Sequence, residues 1–153
     1  MNTGTEDLVG RAQIHDLVVG FYREVVFDDL LAPIFGEVAE VDWEVHIPRL
    51  IDYWCRVLLH EPGYQGSILG AHEHLHHLEP LRPELFDRWF ELWERSIDAS
   101  WAGPLATAAK EHAARIGGVL SRRITSTEWA PAQPAGDGPF VAACAGRAGG
   151  GAS

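Results

Sequence analysis

Apolar residues recur at helical period almost throughout the chain, and no stretch alternates as a half-buried strand would. Ile14, Leu17, Val18, Phe21 and Val25 fall at i, i+3, i+4, i+7 and i+11, one stripe of a first helix. The stretch from Asp28 to Gly36 breaks that helix at Pro33. Asp42 is a good N-cap for a second helix, on which His46, Leu50, Tyr53, Trp54 and Val57 share a face. Pro62 and Gly63 end it, and Ser67 can cap a short helix. Beyond Pro80 and Pro83 runs a helix whose stripe, Phe86, Trp89, Phe90, Trp93 and Ile97, is nearly all aromatic. Gly103–Pro104 breaks the chain again, and a last helix carries Leu105, Ala108, His112, Ile116, Val119 and Leu120. The pattern predicts an all-α domain of about five or six helices.

From about Thr127 the chain turns into W-A-P-A-Q-P-A-G-D-G-P and ends in G-R-A-G-G-G-A-S. Such a composition buries too little apolar surface to offset the entropy of ordering. The expected division is a domain over residues 5–126 and a disordered Pro/Gly/Ala-rich tail over 127–153, with Cys144 an exposed thiol in it.

Composition narrows the function. A length of 153 residues fits one domain, and 46% hydrophobic content is enough for a core. Six Trp and six Phe suit a flat apolar ligand as well as a core. A net charge of -10 speaks against nucleic acid and anionic membrane surfaces as partners. No apolar run approaches the roughly 18 residues of a membrane span, and the first residues lack the features of a signal peptide, so a cytoplasmic protein is expected. The two cysteines form neither a disulfide framework nor a C-x-x-C site, and Cys55 reads as a small core residue.

The segment Gly66–Leu81 places His72, His74, His76 and His77 within six positions, among Ile68, Leu69, Leu75 and Leu78. Neutral imidazole is the commonest metal ligand and an axial ligand of haem. The stretch therefore reads either as a solvated histidine-rich turn or as a source of iron ligands beside an apolar surface. A non-haem site built from His72, His76 and His46 is the alternative metal reading, although the Glu-x-x-His motifs of di-iron bundles are absent. Taken singly, Tyr22, Trp89 and His46 have plain readings too, as a core tyrosine, a packing indole and a surface histidine.

Six local features occur in order over most of residues 14–120. They are Phe21-Tyr22 followed by Pro33-Ile34-Phe35, Asp42-Trp43-x-x-His46, Tyr53-Trp54, Tyr64-x-Gly66 with a histidine six residues on, Phe86-Asp87-Arg88-Trp89, and Gly103-Pro104. In this order they resemble the truncated haemoglobins, specifically the group III or P-type branch of the globin superfamily; Tyr53-Trp54 stands where that branch usually has Phe-Trp. The resemblance implies a two-over-two helical sandwich enclosing haem b, with O2, NO or CO as ligands and an unidentified reductase as partner. It implies ligand scavenging or redox chemistry rather than oxygen delivery, with nitric oxide dioxygenase or peroxidase-like activity left open.

Carried over, Tyr22 is the distal tyrosine and Trp89 the distal tryptophan, while His46 gates or contacts the pocket. Phe35 packs on the macrocycle, Leu50 lines the distal face, and Tyr53 stands among the haem contacts. Ile68 and Leu69 touch the porphyrin one turn before the proximal ligand. A gap-free count makes that ligand His72, which lies 17 residues before Trp89; His76, at 13, fits the family's usual spacing better and remains the alternative. Arg88 and Arg56 are candidates for the haem propionates or for ordinary surface pairing.

Overall fold

A computed structural model describes residues 6–35, 42–64, 81–126 and 128–132. Four long helices carry them: α1 Arg11–Val25, α2 Trp43–Leu59, α3 Pro83–Ser100 and α4 Pro104–Leu120, the last running into a π-helical turn at Ser121–Thr125. α1 packs on α2 and α3, α3 packs on α4, and α4 returns to α2, so the helices close a ring around one core. Among the described residues the sole strand-like pairing is an isolated parallel bridge between Glu6 and Trp101.

Helix ends follow from local chemistry. The Asp42 side chain accepts from the Glu44 amide and caps α2. That helix stops at His60, before Pro62 is reached. His60 is left-handed (φ 60°), and the His60 and Glu61 amides return to the Arg56 and Cys55 carbonyls, so the last turn is satisfied by a Schellman-type cap. Pro83 and Pro104 occupy the first turns of α3 and α4, where a missing N–H costs nothing. At the start of α4 the cap comes from far away in sequence: the Asp7 carboxylate accepts from the Leu105 and Ala106 amides at 2.9 and 2.8 Å. Gly103 permits this approach, since at φ 131° a Cβ there would lie 2.6 Å from Asp7 Cγ.

The stripe expected on α1 is the buried one, Ile14, Leu17, Val18, Phe21 and Val25. On α4, of the residues named from the sequence only Leu120 is fully buried. The buried face is Ala106, Ala109, Ala113, Gly117 and Gly118 together with Leu120, while Leu105, His112 and Ile116 are only partly covered and Val119 is exposed. Burial here follows the space between helices. Small residues let α4 approach α3 closely enough for the Trp93 indole N–H to bond the Ala109 carbonyl at 3.2 Å.

Packing also continues past the expected domain boundary at residue 126. Trp129 is 7% exposed, its ring lies against Phe86 and Phe90, and its indole N–H donates to Asp87 at 2.8 Å. The slot it enters exists because residue 117 is glycine: a Cβ there would lie 2.3 Å from the indole. One tryptophan buries enough apolar area to order a short Pro/Ala segment that composition alone marks as unstructured. Residues 133–153 of the expected tail lie outside the described residues.

The slot yields a double-mutant cycle. Gly117→Ala should destabilise by about 1–3 kcal/mol, because overpacking against a boxed indole outweighs the helix propensity of alanine. In a Trp129→Ala background the same change should become neutral or stabilising by about 1 kcal/mol. Urea unfolding of the four proteins measures it, and equal effects of Gly117→Ala in both backgrounds would show that Trp129 does not fill the slot.

Candidate functional site

All four helices line one apolar cavity at the centre of the ring. α1 contributes Val18, Phe21 and Tyr22; the turn after it contributes Leu31, Ile34 and Phe35. From α2 come His46, Leu50, Tyr53 and Trp54, and from α3 Leu85, Phe86, Trp89 and Trp93. Ile116 and Leu120 of α4 and Leu81 complete the wall. This lining, aliphatic and aromatic with a few polar groups among it, is of the kind that takes small molecules and cofactors.

The cavity explains burial on α2 and α3. On α2 the fully buried residues are Ile51, Trp54, Cys55 and Leu58, whereas His46, Leu50 and Tyr53 are half-buried. Trp89 is likewise half-buried between the buried Phe86 and Phe90. Leu50, Tyr53 and Trp89 pack on the edge of the core, and all four residues also line the cavity. Tyr22, Phe35, His46, Leu50, Tyr53 and Trp89, which the sequence singled out one by one, therefore stand on one wall system. Ile68, Leu69, His72 and His76 lie outside the described residues, as do His74 and His77. Among the described residues, no three His, Cys, Asp or Glu side chains are grouped to hold a metal ion.

Two aromatic groups flank the cavity. On one side Tyr22 meets Phe35 at 5.8 Å, and both Trp43 and His46 at 5.3 Å between ring centroids, while Trp43 stacks on Phe35 at 5.9 Å. Trp43 was not singled out as a site residue. The available signal was its place three residues before His46, which sets both rings on one face of α2. Burial pushes the Tyr22 phenol well above its ordinary value, so at neutral pH it is a protonated donor.

On the other side the Tyr53 hydroxyl and Nε2 of His112 lie 2.5 Å apart, bridging α2 and α4. Burial pushes the Tyr53 phenol up to about 12. Burial, aided by Arg115, lowers the pKa of His112, which favours the neutral imidazole as acceptor. His112 was read from the sequence only as part of a helix stripe; its partner lies 59 residues away and no local signal marks it.

The cavity wall is held by an ion pair. Asp28 accepts from the Leu30 and Leu31 amides and from Arg88 Nε at 2.5 Å, with its side chain 2% exposed. It thereby fixes the turn carrying Leu31, Ile34 and Phe35 to the helix carrying Trp89. Arg88 also reaches Glu91 at 2.7 Å, so of its two sequence readings the structure shows the pairing. Arg56 is exposed.

The residues present fit a flat, largely apolar group with a polar ligand beside it. The walls are aromatic and aliphatic, and Tyr22, His46 and Trp89, side chains that each carry a polar group, are among them. Haem satisfies that description. No helix among the described residues is long and apolar enough to cross a membrane.

Comparison with known proteins agrees. The chain is 30% identical over 95 residues to the group 3 truncated hemoglobin ctb of Campylobacter jejuni, covering 60% of this chain and 72% of that protein. Its fold is similar to the crystal structure of group III truncated hemoglobin from Campylobacter jejuni, with a TM-score of 0.69 and 25% identity, covering 79% of this chain and 95% of the other. No family model matches.

Burial opposes ionisation of Asp28, but the Leu31 amide, Arg88 and the Leu30 amide together hold its carboxyl below the usual range. A depressed folded pKa gives stability that is complete above the unfolded value of about 3.9 and is lost as pH falls through the folded value. Asp28→Asn should therefore lower the melting temperature at pH 6, and the gap to the parent should close below about pH 4. Arg88→Met should cost about 2 kcal/mol, less than breaking a fully buried pair because Arg88 is itself partly exposed. A gap between parent and Asp28→Asn that stays constant from pH 6 to pH 3 would remove the carboxylate from this role.

Proposed function

Because this chain belongs to the group 3 truncated haemoglobins, a family of haem proteins, we propose that it holds haem b in the central cavity and binds O2, NO or CO there. The observation that carries the reading is the convergence of Tyr22, His46 and Trp89 on one apolar cavity. When bound, haem supplies an iron with an open coordination position for a diatomic ligand.

The chain's own residues do the rest. Phe35 and Leu50 give the macrocycle apolar contact and exclude water. Tyr22, protonated at neutral pH, and Trp89, whose indole is a donor only, offer hydrogen bonds to a ligand with partial negative charge on its outer atom. His46 packs on Tyr22 and serves as the gate of that pocket. On the sequence spacing His72 would hold the iron, with His76 the alternative, and Ile68 and Leu69 would touch the porphyrin. Two donors in a water-poor pocket slow ligand escape, which suits scavenging or redox chemistry in the cytoplasm, with a reductase restoring the iron, better than delivery. The non-haem imidazole site gains no support from the relatives, which are hemoglobins.

The visible spectrum of the purified protein tests the reading: a Soret band and a stoichiometric pyridine haemochrome are expected. His72→Ala should lose haem while His76→Ala retains it. The reverse result would transfer the proximal role to His76, and two mutants with normal haem would place the ligand elsewhere.

Distal hydrogen bonds to a partly charged acceptor contribute about 1.5–3 kcal/mol each. Tyr22→Phe or Trp89→Phe should then raise the O2 dissociation rate by roughly ten- to a hundredfold, and the CO rate much less, since CO carries little charge on its outer atom. His46→Leu should act mainly on ligand entry. Stopped-flow rates measure all three, and equal small effects of Tyr22→Phe on both gases would leave the tyrosine as a packing residue.

A further inference from the structure

The ligand-binding mechanism leaves one half-buried polar pair unused. As cavity wall, Tyr53 needs only its ring, yet its hydroxyl is 2.5 Å from Nε2 of His112. We propose that Tyr53 and His112 form a proton-coupled redox pair that feeds electrons into the cavity when hydrogen peroxide reacts there. The inference rests on the haem reading and extends it to a second chemistry at the same site.

Three observations carry it. First, Tyr53 is at once a wall of the cavity and a partner of His112, so electron and proton leave the same ring in different directions. An oxidised phenol is a very strong acid, and its oxidation becomes accessible when a base already holds the proton's destination. Second, His112 is suited to be that base: it is directed at the hydroxyl from α4 and shares ring contacts with both Tyr53 and Trp54 at 5.7 and 5.4 Å. Burial with Arg115 nearby keeps it neutral, and Tyr53 enters protonated. Third, the pair connects outward. Tyr64, half-buried and outside the cavity lining, lies 5.2 Å from Tyr53, giving a reductant in solution a route to the ring.

The balance is simple. Reducing hydrogen peroxide to two waters takes two electrons and two protons. In each of two passes Tyr53 gives one electron toward the cavity and its phenolic proton to His112 Nε2, leaving a neutral phenoxyl radical beside an imidazolium. A one-electron donor of the phenol or ascorbate class returns the electron, and His112 returns the proton. Each donor sheds a proton to solvent, and solvent supplies the two that water formation consumes. Overall, one peroxide and two donors give two waters and two donor radicals.

The test uses ferric holoprotein whose haem content is fixed first by pyridine haemochrome. It is mixed with hydrogen peroxide, freeze-quenched and examined by electron paramagnetic resonance. The chain has three tyrosines, so Tyr22→Phe, Tyr53→Phe and Tyr64→Phe assign any tyrosyl signal. Tyr53→Phe, which preserves the ring as wall, should remove most of the signal. His112→Phe should slow its appearance by roughly a hundredfold, the scale of a lost positioned base, and abolish its solvent isotope effect. The ligand-free haem spectrum of His112→Phe, a residue outside the cavity lining, should match the parent, which separates the pair's chemistry from damage to the pocket. A parental signal in Tyr53→Phe, or an unchanged rate in His112→Phe, overturns the proposal and leaves the haem reading standing. Absence of haemochrome in the parent overturns both before peroxide is added.

Discussion

The indole of Trp93 touches every helix of the ring. It projects from α3, stacks on Trp54 of α2 at 4.7 Å, meets Phe21 of α1 edge-on at 5.1 Å, and donates to the Ala109 carbonyl of α4. It is 2% exposed and also forms part of the cavity wall. A tight ring of helices would ordinarily collapse to native density and leave no room for a ligand. Here one rigid aromatic body holds the four helices at a common distance, and the cavity is bounded by that spacing. Small residues on α4 and the glycine slot for Trp129 are consequences, since the helices can close around two bulky indoles only where their neighbours are small.

A cavity of this kind trades stability for binding. Tyr22, Phe35, Leu50, Tyr53 and Trp89 leave part of their apolar surface uncovered by other helices. A group that fills the cavity recovers that area and stabilises the folded state by mass action. The turn after α1 is the least regular part of the wall, and it is there that the buried Asp28–Arg88 pair sits. A charge removed from water is tolerable at that point because two backbone amides and a guanidinium satisfy it. The polar groups around the cavity thus differ in place: Asp28 and Arg88 hold its shape, while Tyr22, His46 and Trp89 stand in its lining.

The four long helices, the starts of α2, α3 and α4 and the core of α1 were legible in the sequence, because capping and period are local properties. Asp42, Pro83 and Gly103–Pro104 mark boundaries by chemistry that acts within one turn. The ordered series from Phe21-Tyr22 to Gly103-Pro104 was legible as well, and with it the family. What only the tertiary structure decided concerns residues whose partners are distant. The buried face of α4 was not legible, because it is made mostly of alanine and glycine and depends on how closely α3 approaches. Trp129 sits in a segment whose composition marks it as unstructured, and its burial depends on a glycine twelve residues earlier and on α3. Asp7 capping α4, Asp28 bonding Arg88 and Tyr53 bonding His112 each join positions 59 or more residues apart. A sequence states which residues can cap, bury or donate within a turn; which of them meet across the chain is set by helix packing, because only close packing decides where there is room.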